Sequence, residues 1–210
     1  MGSLMSFFPL VVSYYTQNTM YQLEVQSLIE SCEKWNLAYH IEPIDSFGSW
    51  ELNCAYKPFF LLSKLQEFKR PLFWVDADGM FLQAPSILPE FSADIAARVN
   101  QDCAPEHPSR VMSSSVFVNH TPEAATFLKL WAGECHKGLS DPDRTEEYWD
   151  QVGLRDVFFS DKHRAKVAAL PHTYVTIDGH PEDEKNILHP VVKHFQASRR
   201  YKKLINEKKG

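Results

Sequence analysis

The sequence of 210 residues has no apolar run approaching the roughly 20 residues that cross a membrane. Its N-terminus lacks the basic start and the cleavage site of a secretory signal peptide. Basic residues are not in excess, since 22 lysines and arginines face 27 acidic residues, for a formal net charge of -5. We therefore expect no transmembrane segment and no nucleic-acid partner.

Cysteine is also scarce, and its spacing excludes two further classes of protein. The four cysteines are far apart and include no Cys-x-x-Cys pair: Cys32, Cys54, Cys103 and Cys135. This pattern suits neither a zinc knuckle nor a small disulfide-bonded scaffold. We expect reduced thiols in a cytoplasmic protein.

The bulk composition is that of an ordinary globular protein. Hydrophobic residues make up 44% and charged residues 23% of the chain, and we find neither an internal repeat nor a composition typical of a domain linker. At this length one hydrophobic core is the default. The sequence therefore predicts a single domain over residues 1–210.

One stretch combines a buried strand with two carboxylates. Four apolar residues, 72–75, follow Arg70-Pro71 and lead directly into Asp76 and Asp78. A short apolar run bounded by turn signals predicts a strand that is buried on both faces. In an open parallel sheet ligands bind beyond the carboxyl ends of the strands, where a Mg²⁺ or Mn²⁺ ion shared with a diphosphate would compensate both acids. The alternative is a turn whose two acids cap a loop.

Strand and helix patterns alternate along the chain. We predict strands at 10–14, 38–44, 72–75, 94–99, 111–119 and 166–170, and helices at 21–35, 58–68, 121–135, 148–159 and 198–208. Residues 45–49, 136–147 and 171–186 have the composition of loops, the last long and mobile, and 187–194 is extended. This order predicts an α/β domain with a mainly parallel central sheet and flanking helices.

Six ordered segments carry a resemblance to a known family. The chain resembles small bacterial nucleotide-diphospho-sugar transferases of the GT-A fold, relatives of the glycogenin-like and lipopolysaccharide galactosyltransferase enzymes. The likeness extends over about residues 8 to 203. The segments are Val12-Ser13-Tyr14-Tyr15-Thr16, the Trp50, Asn53 and Lys57-Pro58 spacing, Trp74-Val75-Asp76-Ala77-Asp78, the strand 113–119, Asp150-Gln151, and the closing His194-x-Gln-Ala-Ser-Arg.

The resemblance implies a metal site and a diphosphate site. Asp76, Asp78 and a late histidine would hold Mn²⁺ or Mg²⁺. His194 is the first choice because it precedes the Ser198-Arg199 element, and His189 is the second. Five residues of extended chain place these two histidines on opposite faces, so both could not easily face one ion.

The remaining site residues follow from the same resemblance. Basic side chains would neutralise the diphosphate, with Arg199 able to form bidentate contacts. Tyr14 or Tyr15 would stack on a nucleobase, the serines would contact the sugar, and Asp150 and Gln151 would lie at the acceptor side and the anomeric carbon. Predicted nucleotide-sugar ligands are Tyr14, Thr16, Asn18, Lys57, Asp76, Ser114, Ser115, Ser198, Arg199 and Lys202.

The implied activity is transfer of a sugar from a nucleotide-linked donor, UDP-linked rather than GDP-linked. The acceptor would be a glycan, a lipid or a protein, and the sequence does not specify which. The glycogenin-like His-x-x-Gly-x-x-Lys-Pro-Trp element is absent, which leaves the third metal ligand and the stereochemical outcome open. Acceptor specificity would lie in loops 136–147 and 171–186.

Two other functions fit parts of the sequence. A strand followed by Asp-x-Asp-Gly opens haloacid-dehalogenase-type phosphatases, with Asp76 as nucleophile and Asp78 as acid. In that class the motif lies near the chain start and a Thr or Val follows its Gly. Here 75 residues precede Asp76, and Met80 follows Gly79. A nucleotide-sugar-binding module without turnover is the third alternative.

Overall fold

The computed structural model of the protein describes residues 8–86, 92–143 and 147–207. Its strands are β1 (Leu10–Thr16), β2 (Tyr39–Ile44), β3 (Leu72–Val75), β4 (Gly79–Phe81), β5 (Ile95–Val99), β6 (Val111–Val118), β7 (Val167–Ala169), β8 (Thr176–Ile177) and β9 (Val192–His194). Its helices are α1 (Tyr21–Lys34), α2 (Trp50–Ala55), α3 (Lys57–Phe68), α4 (Pro122–Ser140), α5 (Asp150–Phe158), α6 (Pro181–Asn186) and α7 (Ala197–Glu207).

Six strands form a central sheet in the order β2-β1-β3-β6-β5-β7. Five of them run in one direction and β6 runs opposite, between β3 and β5. The prediction of a mainly parallel α/β sheet is confirmed. Because β6 is antiparallel to β3, its first half lies beside the carboxyl end of β3, with Ser115 opposite Val75.

A second sheet of three short strands, in the order β4-β9-β8, adjoins this end of the central sheet. β4 begins at the residue after Asp78 and pairs antiparallel with β9, which places Gly79 opposite His194. β8 pairs parallel with β9, with Ile177 beside His194. The small sheet therefore brings the end of the chain back to the two acids.

The core lies on both faces of the central sheet. On one face Leu72 and Trp74 of β3 pack in a cluster with side chains of α3, α4 and α5. On the other face Phe73 and Val75 pack with α1 and the small sheet. Alternate residues of β3 are thus buried on opposite sides, as the unbroken apolar run predicts.

Two segments predicted to be loops are ordered differently. Within 136–147, α4 continues to Ser140, because Leu139 lies one helical turn after the buried Cys135 and packs against the same core. Residues 144–146 of this segment lie outside the described residues. The polar composition of the segment obscured the helical continuation.

The prediction that 171–186 is a long mobile loop is wrong. The segment contains a 3₁₀ turn, β8 and α6, and it buries Tyr174 and Val175 completely. Its acidic end is fixed by a buried ion pair between Asp183 and Arg98 of β5. Polar composition therefore concealed a segment that tertiary contacts hold in place.

Of the segment 187–194, predicted to be extended, only 192–194 form a strand, and the other predicted elements agree with the structure to within a few residues at each end. The terminal helix begins at Ala197 and is described to Glu207, whereas Lys208 lies outside the described residues. The sequence did not predict α2, whose first turn is capped by the Ser49 hydroxyl accepting the N–H of Leu52. All four cysteines are free thiols. No helix in the described part of the chain combines the length and apolar character that crossing a bilayer requires.

Candidate active site

Two carboxylates and an imidazole meet at the carboxyl end of β3. One ligand atom from each of Asp76, Asp78 and His194 lies within 4.8 Å of the others. The acids follow β3 and the histidine ends β9, so pairing of β4 with β9 is what brings them together. Asp76, Asp78 and His194 form the group we call the acid–histidine cluster.

Gly79 is the residue that permits this approach. A Cβ atom at position 79 would lie 2.4 Å from Val75 Cγ1 and 3.1 Å from His194 Cε1. Any larger residue would therefore push the histidine ring or the buried strand away from the acids. The glycine after the two acids therefore leaves the space that the imidazole ring occupies.

The side chains of the cluster are held by a second layer of contacts. His194 Nε2 and the Ser115 hydroxyl lie 2.9 Å apart and share a hydrogen bond. Asp78 Oδ2 accepts the N–H of Ala197 at 2.7 Å. Asp76 Oδ1 accepts the indole N–H of Trp74, also at 2.7 Å. Each of the three groups therefore has a fixed orientation.

The cluster fits a divalent cation. His194 Nδ1 is buried, has no hydrogen-bond partner among the described residues, and lies 3.8 Å from Asp78 Oδ1. In the neutral tautomer with its proton on Nε2, His194 would donate to Ser115 and present the Nδ1 lone pair to an ion between the acids, the arrangement of a metal-binding histidine. Two carboxylates and one imidazole suit Mn²⁺ and, less closely, Mg²⁺.

The electrostatics of the two acids also favour a bound cation. Burial raises the pKa of Asp76 above its usual value; the Lys57 ammonium opposes this and the charge of Asp78 adds to it. Burial also acts to raise the pKa of Asp78, but the adjacent His194 and the N–H of Ala197 bring it below the usual value. Two neighbouring acids, one 35% exposed (Asp76) and the other 10% exposed (Asp78), form a site where added positive charge is favourable.

Lys57 connects this cluster to a third acid. Its side chain is 4% exposed, and its Nζ lies 2.9 Å from Asp76 Oδ1 and 2.8 Å from Asp150 Oδ2. The same ammonium donates to the Ser113 carbonyl at 3.1 Å and lies over the Trp74 ring. Burial alone would lower the pKa of Lys57, but the carboxylates of Asp150 and Asp76 raise it above its ordinary value. The lysine therefore stays charged and fixes two carboxylates at once.

These groups line a cleft of about 330 Å³, a volume within the usual range for small-molecule sites. Its walls come from the ends of β1, β3, β5, β8 and β9, from the first half of β6 and from the starts of α2, α3, α5 and α7. The cleft thus lies where the sequence places it, beyond the carboxyl end of β3.

The predicted nucleoside-binding residues are only partly in this cleft. Tyr14 lies in the core, where its ring packs on Tyr56, Phe60 and Trp74 and its hydroxyl donates to the Asn53 carbonyl at 2.6 Å. It reaches the cleft only as part of the wall. The half-buried Tyr15 and the buried Thr16 line the cleft, whereas Asn18 is exposed in a left-handed turn with φ 59°.

The predicted serines and the Asp150-Gln151 pair have different surroundings. Ser114 lines the cleft and its carbonyl accepts the N–H of Asp76, but Ser115 is fully buried beneath His194. Asp150 and Gln151 line the cleft at the start of α5. The Gln151 side chain accepts the N–H of Ser113 and donates to the Pro108 carbonyl.

The late basic residues lie on α7. Ser198 and Arg199 line the cleft. Lys202 lies one turn further along, with its Nζ 4.1 Å from the centre of the Trp50 ring and 3.2 Å from Glu51. His189 is exposed and is not part of the acid–histidine cluster.

Several cleft residues were not predicted from the sequence. Arg98, Asn100, Met112, Trp149, Ile177 and His180 all line the cleft. A charged arginine inside an otherwise apolar strand was the one available signal for Arg98. Trp149 lies at the start of α5, and the others carry no local pattern because they come together through the pairing of β5 with β6 and of β8 with β9.

Comparison with known proteins gives the fold a name. No protein-family model matches the chain, and no curated protein matches it in sequence. A solved glycosyltransferase involved in glycosylation of the major capsid of PBCV-1 is similar in structure, with a TM-score of 0.65 and 11% identity over 96% of this chain and 98% of that one.

Two further solved structures are similar over most of this chain. The galactosyltransferase LgtC, in complex with donor and acceptor sugar analogues, has a TM-score of 0.52 and 10% identity, over 94% of this chain and 95% of that one. The glycosyltransferase GlyE of Streptococcus pneumoniae TIGR4 has a TM-score of 0.56 and 12% identity, over 89% of this chain and 55% of that one. The expected fold is confirmed: this chain has the GT-A fold of glycosyltransferases.

Proposed function

We propose that this protein is a metal-dependent glycosyltransferase that moves a sugar from a UDP-linked donor to an acceptor hydroxyl. The observation that carries the proposal is the acid–histidine cluster, which lies at the carboxyl end of β3 in a fold shared with glycosyltransferases. A fold alone does not specify chemistry, so the argument depends on the groups in the cleft.

Asp76, Asp78 and His194 would hold Mn²⁺ or Mg²⁺. When bound, such an ion supplies positive charge to the departing diphosphate and orients it. Arg199 and Ser198 line the same cleft and would contact the diphosphate oxygens, the arginine through charge-assisted hydrogen bonds.

In this proposal Lys57 positions two acids of the site, in addition to adding positive charge near the diphosphate. Its ammonium is shared by Asp76 and Asp150, so it holds one acid towards the metal site and the other towards the transferred sugar. Asp150 is 2% exposed at the cleft wall, where it would bind a hydroxyl of the donor sugar or the acceptor. Gln151 would lie beside the anomeric carbon only after giving up a contact with the backbone.

The nucleoside end of the donor would lie at β1. Tyr15, rather than the core residue Tyr14, is the ring available to a nucleobase, with Thr16 beside it. The acceptor would be a glycan, a lipid or a protein. A cytoplasmic location belongs to the same proposal, and the four free thiols are compatible with it.

The test is a panel of nucleotide sugars incubated with the protein and Mn²⁺, with release of the free nucleoside diphosphate as the readout. We expect slow hydrolysis of one UDP-sugar that stops when the ion is chelated. Binding of UDP and Mn²⁺ with no turnover of any donor would support the binding module instead. Phosphate release from small phosphoesters without donor turnover would support the phosphatase, to which the fold gives no support.

A further inference from the structure

The turn that follows β8 is attached to the strand of the candidate metal ligand. The N–H of Asp178 donates to the His194 carbonyl at 2.9 Å, and the side chain of Gln196 donates to the Asp178 carbonyl at 2.8 Å. His180, two residues further along, lines the cleft that holds the acid–histidine cluster. A residue of the segment 171–186 is thus fixed beside the proposed donor site.

A buried ion pair fixes the far side of this turn. Asp183 receives two hydrogen bonds from the Arg98 guanidinium, at 2.6 and 2.7 Å, and one from the N–H of Ile177 at 2.8 Å. The arginine also donates to the Val175 carbonyl at 2.7 Å. A bidentate pair of this kind sets distance and orientation together. The turn is therefore held at the small sheet and at β5.

The imidazole of His180 lies near the same carboxylate. Its Nδ1 is buried, lies 3.5 Å from Asp183 Oδ1, and has no hydrogen-bond partner among the described residues. The side chain as a whole is 45% exposed, so the exposed ring atoms are those away from Nδ1. A carboxylate near Nδ1 favours the proton on that nitrogen and leaves Nε2 as a hydrogen-bond acceptor.

The surroundings combine apolar and polar groups. Met112 pairs with Arg98 across β5 and β6, and Ile177 lies three residues before His180; both line the cleft, as does Asn100. Sugars present apolar C–H faces together with hydroxyls, so such a wall suits a sugar ring. Asn100 is already bonded to Arg98 and to the Ser109 carbonyl, so the His180 ring is the group that a plain lipid chain, which has no hydroxyl, would leave without a partner.

We propose that His180 is an acceptor-binding residue that accepts a hydrogen bond from a hydroxyl of a carbohydrate acceptor, and that Asp183 and Arg98 position it. This inference rests on the proposed glycosyltransferase function and adds the class of acceptor and the residue that recognises it. It assigns the segment 171–186 to the acceptor side through a specific side chain.

The test compares three variants in two assays. The donor assay measures hydrolysis of the donor by water, together with the affinity for UDP and Mn²⁺. The acceptor assay measures transfer to a panel of methyl glycosides. His180→Ala should raise the acceptor KM about tenfold, the effect of one lost hydrogen bond, and leave donor hydrolysis within about twofold. His180→Gln, which restores an acceptor oxygen near the position of Nε2, should recover most of the loss.

The matched control is His136→Ala, on the exposed surface of α4, which should change neither assay. An unchanged acceptor KM in His180→Ala, or a parallel loss of donor hydrolysis, would overturn the assignment. A wild-type protein that hydrolyses its donor but transfers to no glycoside would overturn the carbohydrate class. Failure of the wild-type protein to bind UDP with Mn²⁺ would instead remove the proposed function itself.

Discussion

At the scale of single residues, Lys57 is the buried cation that pairs with two carboxylates of the cleft. Its ammonium compensates Asp76 and Asp150, and both pairs are shorter than 3 Å. Removing one member of a buried ion pair leaves an uncompensated charge, which costs more than the pair contributes. The lysine therefore acts on stability as well as on the site.

We expect Lys57→Met to lower the free energy of unfolding by about 3 kcal/mol at pH 7, because two acids lose their cation. Urea denaturation measures this, and the loss should shrink at lower pH as the carboxyls become protonated. Lys137→Met, at a side chain that is 79% exposed, is the control. A Lys57→Met loss no larger than that of the control would contradict the account.

The site residues that could be predicted from the sequence are those with a local sequence pattern. Asp76 and Asp78 could be singled out from the sequence because they directly follow a buried strand, whereas His194 was chosen through the family resemblance. The sequence could not show that Tyr14 packs in the core, because an aromatic residue at a strand end serves equally well in a core or at a ligand. His180 had no local signal, since Arg98, its indirect anchor, is 82 positions away in the chain.

At the scale of elements, the segment that contains β8 and α6 depends on one buried charge. The Asp183 side chain is 2% exposed. Burial acts to raise its pKa, but the hydrogen bonds from Arg98 and the N–H of Ile177 bring it below the ordinary value. Because the folded pKa lies below the unfolded value of about 3.9, the stabilisation is complete well above that unfolded value and is lost as the pH falls from it through the folded pKa.

Asp183→Asn should therefore lower stability by about 3 kcal/mol at pH 7 and flatten its dependence on pH between about 5 and 3. Thermal denaturation across that range, for the variant and the wild-type protein, gives both quantities. Asp161→Asn, at an exposed position, should leave the curve unchanged. Parallel curves for Asp183→Asn and wild type would show that this pair does not hold the segment.

Helix α7 is attached to the rest of the protein mainly by polar contacts. Among its residues only Ala197 is buried. Lys202 reaches Glu51, Glu147 and the Trp50 ring, and the Asn206 side chain accepts the N–H of Trp50 at 2.9 Å. With few apolar contacts, such a helix should open locally more readily than the core.

We expect Lys202→Ala to speed hydrogen exchange of the α7 amides several-fold, since the variant loses ion pairs and a cation–π contact of about 1 kcal/mol together. Exchange measured by mass spectrometry localises the effect. Lys203→Ala removes an 87% exposed lysine from the same helix and should change little. Equal protection in both variants would mean that Lys202 does not fasten the helix.

At the scale of the whole molecule, strong periodicity made the fold predictable. The run of residues 72–75 fixed the central strand, and the alternation of strands with helices predicted the layered α/β domain. The small sheet could not be predicted because its strands have two or three residues and no pattern of their own. Yet this sheet completes the site, since it carries His194 to the acids.

The central claim is that the acids after β3 and His194 bind a divalent ion together with the donor's diphosphate. Isothermal titration of UDP with and without Mn²⁺ tests it, using wild type, the Asp76→Asn/Asp78→Asn double variant and the exposed control Asp161→Asn. We predict that Mn²⁺ tightens UDP binding at least about tenfold in wild type and the control, and has no effect in the double variant. Equal Mn²⁺-dependent tightening in all three proteins would contradict the claim.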